Sequence, residues 1–330
     1  MYAMRSAAVR AVLVRTYNRR ESSRRSSCAI IAGISCAGAA AAQQRPVTRD
    51  FAPARHERDL EAGLRNSPWQ DTIARVIPLP RVAPGWEFPP VLIRKGTRVF
   101  VLTGAGISAE SGVRTFRDAG GLWEEHKIED VATPEAFHRN PRHVWRFYSQ
   151  RRIQARDVKP NPAHYALARL GEFLGDDLFL CTQNVDPLHE RAGSRGVLHM
   201  HGELLRTCCS VCDRPSFADE KAYEHGPPTC ECGAPLRPDV VWFGEMPKGM
   251  DEIGFAVSNC DLFITVGSSG SVYPAAGLVS HVRNFPSART GYFARTVYVG
   301  IERPENAHSF DECRLGKAGE LLPHLFKFED

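Results

Sequence analysis

The sequence predicts an α/β protein in which a parallel sheet is flanked by helices and joined to a smaller second domain. Three observations predict it. Four short apolar runs, RVFVL (98–102), LFLC (178–181), LFITV (262–266) and TVYV (296–299), are each followed by small or polar residues. Continuous apolar runs of this length read as strands buried on both faces. Helical stretches lie between them, notably 161–173 and 275–283, and that alternation belongs to parallel sheets. Two segments break the pattern: 118–160, which is helical, aromatic and charged, and 205–238, which carries two cysteine pairs. Together they are expected to build the smaller domain.

The chain has 330 residues and a formal net charge of +4, ample for a packed core. The charge is uneven. Residues 1–45 hold eight Arg, no Lys and one acid, whereas 46–330 hold 34 basic and 37 acidic residues. The folded body is therefore not basic, and no nucleic-acid partner is expected. Residues 1–45 read as a separate Arg/Ser/Ala-rich piece with three open readings. It has the composition of a mitochondrial transit peptide. It could be a signal peptide, with Cys28–Ala42 as the apolar run, or a disordered extension. Fifteen apolar residues are too few to span a bilayer as a helix, and no membrane partner is expected. Residues 46–91 read as a linker containing a short helix at about 58–76 and an extended approach strand.

Along the body, the first strand runs into Gly104-Ala105-Gly106-Ile107-Ser108-Ala109. This is the G-x-G-x-x-A form of a phosphate cradle, in which glycines admit the pyrophosphate and a helix opens with free N–H donors. It makes the sheet Rossmann-like, although a Gly-rich turn without a ligand has the same letters. A dehydrogenase also needs an acid at the end of the second strand, and Trp123–Asp130 does not read as a strand end. Ligands of parallel sheets gather beyond the carboxyl ends of the strands, which places the site there.

Ten cysteines are present. Cys209-x2-Cys212 and Cys230-x-Cys232-Gly233 form two knuckles, the arrangement that aims four thiolates at one tetrahedral zinc ion. Cys208 makes the first pair ambiguous, with Cys209 giving the better spacing. Two disulfides or free thiols are the competing readings. Four thiolates leave no open position, so the metal is expected to be structural. Cys181, Cys260 and Cys313 read as buried thiols.

The stretch GAGISAESGVRTFR (104–117), then TQNVD (182–186), His201-Gly202, the cysteine pairs and VVWFGE (240–245) together resemble the sirtuins, the NAD-dependent protein-lysine deacylases. The likeness covers about 92–330. Tyr148-Ser-Gln-Arg151 makes it similar to the bacterial and mitochondrial class III branch.

The resemblance implies a reaction in which acyl-lysine and NAD give lysine, nicotinamide and O-acyl-ADP-ribose. It implies His201 as the general base on a ribose hydroxyl, a task that suits a group titrating near neutrality. His199 is read as structural. Asn184 and Asp186 are implied catalytic and cofactor residues, and polar residues at a buried strand end need partners. The implied NAD site further includes Gly104, Ala105, Gly106, Ser108, Glu110, Thr115, Phe116, Arg117, Trp123, Gln183, Val185, Gly267, Ser268, Ser269, Gly300, Glu302 and Ala318. Phe116 would shield the reactive ribose and Arg117 would meet phosphate or ribose oxygens. One structural Zn2+ is implied at the four cysteines.

The substrate is implied to meet Val241, Trp242, Phe243, Gly244 and Glu245, a stretch that adds the peptide as a strand. Tyr148, Arg151 and the small Ala132 are implied to form the acyl pocket. A guanidinium grips a carboxylate bidentately, so succinyl-, malonyl- or glutaryl-lysine is the expected substrate, with some deacetylation retained.

Three positions depart from the family pattern: Pro187 after Asp186, Ser268-Ser269 in place of Thr-Ser, and Gly300 where an asparagine is usual. The last puts one adenosine-ribose contact in doubt. Alternatives to deacylation are protein ADP-ribosyl transfer on the same fold, a non-enzymatic NAD-binding scaffold and, more distantly, a dehydrogenase. A cytoplasmic location is expected, or a mitochondrial one if the leader is a transit peptide. The link at 284–295, with its near-repeat Ala288-Arg-Thr290 and Ala294-Arg-Thr296, is longer than the pattern requires.

Overall fold

The computed structural model describes residues 81–113, 122–123 and 126–329. The leader at 1–45 and the expected helix at 58–76 lie outside the described residues. The described chain opens with β1 (Arg81–Pro84), β2 (Val91–Arg94) and β3 (Val99–Thr103). Strands β4 (Leu122–Trp123) and β5 (His126–Lys127) form a small hairpin. Helices α1 (Ile128–Val131), α2 (Pro134–Arg139), α3 (Pro141–Asp157) and α4 (Pro162–Leu174) follow. Next come β6 (Leu178–Thr182), α5 (Leu188–Arg191), β7 (Leu198–His199), β8 (Gly202–Cys209), β9 (Phe217–Ala218) and β10 (Leu236–Val240). Then α6 (Met250–Asn259), β11 (Leu262–Val266), α7 (Leu278–Asn284), β12 (Arg295–Gly300), β13 (Glu312–Leu315), α8 (Ala318–Leu325) and β14 (Phe326–Glu329) complete it.

The main sheet has seven strands in the order β1-β13-β12-β11-β3-β6-β7, with every pair parallel. All four predicted strands are in it. Their alternate residues serve two cores. Val99, Val101, Ile264, Val266, Val297 and Val299 meet Leu167 and Leu170 of α4 and Leu322 and Leu325 of α8. Phe100, Leu102, Phe263 and Tyr298 face the opposite side, with Ile253 and Val257 of α6 and Val279 and Val282 of α7. Phe100 stacks between Phe179 and Phe263 at 5.3 and 5.2 Å between ring centroids. The approach strand, β2, pairs instead with β14 in a separate two-stranded parallel sheet.

One expectation is corrected. The glycine loop does not open an α-helix but makes two 3-10 turns, Ala105–Ile107 and Ala109–Ser111. Gly104 N–H donates to the Val266 carbonyl and Gly106 N–H to the Gly267 carbonyl, so the loop is stitched to the end of β11. Gly112, at φ +86°, then turns the chain out of register for a helix. A Cβ on Gly106 would lie 2.7 Å from the Gly267 Cα. The glycine is therefore required by loop-on-loop contact as well as by any ligand.

The two interruptions pack together. Helices α1–α3 and the antiparallel sheet β10-β8-β9 share a core of Val131, Phe137, Trp145, Tyr148, Leu204 and Trp242. Arg152 of α3 is fully buried there. Its guanidinium donates to the carbonyls of Leu204, Lys221 and Arg206, to Thr207 Oγ1 and to Asp219. The 284–295 link is a compact turn. Ser287 N–H bonds the Tyr292 carbonyl, Ala288 N–H bonds Ser258 at the end of α6, and Arg289 pairs with Asp261.

Deleting one partner of a buried ion pair strands the other, at a cost of about 3–5 kcal/mol. Arg152→Met is therefore expected to lower the unfolding free energy by that order, read by urea denaturation. A loss below about 1 kcal/mol would show that Arg152 does not hold the smaller domain.

Candidate functional site

The carboxyl ends of β3, β6, β11 and β12 open into one cleft of about 1220 Å³ between the sheet and the smaller domain. Three loops form its floor. Gln183 N–H donates to the Thr103 carbonyl, and Gln183 Nε2 to Ser268 Oγ at 2.9 Å. Asn161 caps α4 and its Nδ2 donates to the Ile107 carbonyl, tying the glycine loop to the helix beneath.

Asn184 and Asp186 are 8% and 6% exposed. Asn184 Nδ2 donates to Ser108 Oγ, and Ser108 Oγ donates to Asp186 Oδ2, both at 3.0 Å. Asp186 Oδ1 accepts Leu188 N–H at the start of α5. Burial raises the Asp186 carboxyl above the ordinary carboxylate range. Pro187 precedes α5, and its carbonyl accepts Arg191 N–H.

His201 faces the cleft from the turn between β7 and β8. Its Nδ1 lies 3.1 Å from the Gln183 carbonyl. A carbonyl only accepts, so Nδ1 carries the hydrogen and Nε2 is left as the basic nitrogen. Burial lowers the His201 pKa from 6.5. His199 takes the structural place, between the Asn184 carbonyl and Glu190.

The other expected cofactor residues divide in three. Gly104, Ala105, Gly106, Glu110, Val185, Gly267, Ser268, Ser269, Gly300, Glu302 and Ala318 line the cleft. Glu110 also holds the head of α8 by accepting Gly319 N–H at 2.7 Å. Ser108 is fully buried behind the wall. Thr115, Phe116 and Arg117 lie outside the described residues, as does the Trp123 side chain.

Of the residues expected at the acyl group, Arg151 (7% exposed) and Ala132 line the cleft. The placement of Tyr148 corrects the expectation that it lines the pocket beside Arg151. Tyr148 is fully buried behind the wall, and its hydroxyl accepts Trp242 Nε1–H at 3.0 Å. Val241, Trp242, Phe243, Gly244 and Glu245 also line the cleft. They form a turn past the end of β10, braced by Val241 N–H on the His201 carbonyl and Phe243 N–H on that of Ala132. Glu245 is a brace: its carboxylate takes two hydrogen bonds from Arg237 and one from Trp242 N–H. The Arg237 guanidinium lies 3.4 Å from the Trp242 ring centroid.

Sequence reasoning missed Arg237, and it missed a buried chain under the floor. His189 Nε2 meets Thr103 Oγ1 at 2.9 Å, Thr103 Oγ1 donates to Thr182 Oγ1, and that oxygen accepts Asn184 N–H. The polar ends of β3 and β6 were its signal, since buried hydroxyls need partners.

The sulfurs of Cys209, Cys212, Cys230 and Cys232 lie within 4.8 Å of one another. Cys209–Cys232 and Cys212–Cys230 are 3.5 and 3.8 Å apart. That is far beyond a disulfide bond of about 2.05 Å, and it fits sulfurs gathered around one zinc at about 2.3 Å each. Cys209 Sγ accepts the N–H groups of Val211 and Cys212, as a thiolate knuckle does. Cys208 points away, to the Pro238 carbonyl, which settles the choice for Cys209. Cys181, Cys260 and Cys313 are buried free thiols.

Residues 104–274 match the model of the Sir2 family. The chain is 52% identical over 235 residues to the NAD-dependent protein deacylase of Pasteurella multocida, covering 70% of this chain and 97% of that protein. It is 51% identical over 231 residues to the one of Escherichia coli K12, covering 69% and 80%. Among solved structures it resembles a Sir2 homologue in complex with NAD, at a TM-score of 0.62 and 38% identity over 70% of this chain and 88% of that one.

One zinc per chain is the expected content by elemental analysis of the purified protein. Cys212→Ser is expected to bind well under half an equivalent and to melt at a lower temperature. Full zinc in that variant would remove Cys212 from the donor set.

Proposed function

The chain belongs to the Sir2 family, the sirtuins, and on that premise we propose that it is an NAD-dependent protein deacylase that prefers acyl groups ending in a carboxylate. Succinyl-, malonyl- and glutaryl-lysine proteins are its substrates, with acetyl-lysine a slower one. The observation that carries the preference is the buried guanidinium of Arg151 lining the same cleft as His201.

NAD, when bound, supplies an electrophilic ribose carbon once its nicotinamide bond breaks. The residues of the chain do the rest. The glycine loops let the cofactor approach the backbone with no Cβ in the way, while the N–H groups of Gly104, Gly106 and Gly267 hold the loops together by bonding the Val266, Gly267 and Val299 carbonyls. Asn184 and Asp186, locked through Ser108, keep fixed polar groups at the ribose end. His201 Nε2, its partner nitrogen tied to Gln183, takes the proton of a ribose hydroxyl so that its oxygen can attack the acyl carbon. The turn at 241–245 lies between His201 and Ala132 and receives the peptide backbone, which favours a broad range of protein substrates. Arg151 holds the distal carboxylate, which an acetyl group lacks. Because the reaction consumes NAD, the proposal places the protein in the cytoplasm or mitochondrion.

The test is paired succinyl- and acetyl-lysine peptides with NAD, following free peptide and nicotinamide by mass spectrometry. Leaving a carboxylate unpaired in a buried pocket costs about 2–4 kcal/mol. Arg151→Met is therefore expected to cut desuccinylation about 30- to 800-fold while changing deacetylation by less than about threefold. Equal loss of both would sink the pocket assignment.

The pH profile tests the base. A lowered pKa keeps His201 neutral at and above neutral pH. The rate with a saturating acetyl peptide is expected to be flat near pH 7 and to fall on acidification, with its midpoint below 6.5. A midpoint above 7 would mean that another group, or a differently placed His201, sets the limb.

A further inference from the structure

The strand order sets out the cleft from end to end. Gln183–Asp186 follow β6 and His201 follows β7, on one side of the glycine loop of β3; β11 and β12 lie on the other side. Gly300 ends β12 and lines that far end with Ser268, Glu302 and Ala318. If the glycine loop cradles the pyrophosphate and His201 meets the nicotinamide ribose, this end receives the adenosine half.

Gly300 is where an amide side chain was expected, and the structure shows what occupies its place. A Cβ built on Gly300 would lie 2.3 Å from the Tyr298 hydroxyl oxygen and 2.8 Å from Cζ of that ring. Residues two apart on a strand share a face, so the Tyr298 phenol runs along its own strand towards the carboxyl end. The side chain is 3% exposed, with its ring packed beside Phe310 at 5.6 Å. Tyr298 also lines the cleft. A phenol hydroxyl both donates and accepts, which matches a ribose diol, and the buried ring fixes its position.

We infer that Tyr298 is a cofactor-binding residue: its hydroxyl hydrogen-bonds the adenosine-side ribose of NAD, and Gly300 is glycine because that phenol fills the space. The pair is a local exchange, a side chain from two residues upstream doing the work of one at position 300. This rests on the reading that NAD occupies the cleft.

The experiment is calorimetric titration with ADP-ribose, alongside steady-state kinetics with NAD and an acyl-lysine peptide. Loss of one such hydrogen bond corresponds to about a three- to tenfold change. Tyr298→Phe is expected to weaken ADP-ribose and to raise the KM for NAD by that factor, with kcat within twofold and the peptide KM unchanged. Gly300→Asn alone is expected to weaken ADP-ribose at least as much, because the phenol blocks the new side chain. The double variant Tyr298→Val/Gly300→Asn is expected to recover binding to within about threefold of wild type. Unchanged ADP-ribose affinity in Tyr298→Phe would overturn the inference, as would a double variant no better than Gly300→Asn. Absence of deacylation by the wild-type protein would count against the proposed function, whereas the ADP-ribose titration would still report on Tyr298.

Discussion

The architecture depends on the contact between the loops that follow β3 and β11. Gly104 and Gly106 donate to the Val266 and Gly267 carbonyls, and Gly106 and Gly267 approach so closely that neither tolerates a Cβ. Two parallel strands end side by side, and their exits must bend away from each other or pack. Here they pack, and the result is a floor of backbone amides at the mouth of the sheet. Gln183 extends that floor to β6 by bonding Thr103 on one side and Ser268 on the other. Every polar group assigned to the reaction is referenced to this floor: Asn184 through Thr182 and Ser108, Asp186 through Ser108, and His201 through the Gln183 carbonyl.

The second wall of the cleft has a different origin. The smaller domain packs a three-stranded sheet against helices α1–α3. Arg152 ties the two together by satisfying three carbonyls, a hydroxyl and a carboxylate at once. It sits next to Arg151 in the chain, so the group that fixes α3 against β8 also fixes where the Arg151 guanidinium enters the cleft. Arg237 does the same for the 241–245 turn, gripping Glu245 and lying on the Trp242 ring. The cleft wall is thus braced from behind by charged groups whose partners are already supplied.

What the sequence made legible follows from burial. The four strands it revealed are the central ones, where both faces are covered and apolar runs are continuous. Strands β1, β7 and β13 escaped notice for separate reasons. β7 has two residues, β1 is a partly exposed edge, and β13 reads Glu-Cys-Arg-Leu. Its charges are tolerated because Glu312 takes Arg295 and Arg314 as partners within the sheet. The cysteine knuckles were legible by spacing, but Cys208 against Cys209 needed the alternation of β8, which points them to opposite faces. Tyr148 was misplaced because spacing of three puts it on the same side of α3 as Arg151 without saying which neighbour covers each. Trp242, far away in sequence, covers Tyr148. The glycine loop was legible as a loop, while its failure to start a helix depended on Gly267, about 160 residues later.

Burial also sorts the ionisable groups of the cleft by what they can contribute. It lowers the pKa of His201 and raises those of Asp186 and Tyr148, pushing all three towards their neutral forms. A neutral imidazole can accept a proton, and the Asp186 carboxyl is held in place by the hydrogen bonds it accepts from Ser108 and Leu188. Burial acts on arginine in the same direction, lowering the pKa of Arg152, but a guanidinium starts so high that it keeps its proton in a protein. Arg151 therefore remains a cation in the same desolvated wall that neutralises its surroundings. On the proposed function, an arriving carboxylate gives that buried cation a partner, and a neutral acyl group does not. On the proposed function, discrimination between acyl groups and the availability of the base come from one property, the dryness of the cleft wall, acting on two residues with opposite capacities to yield to it.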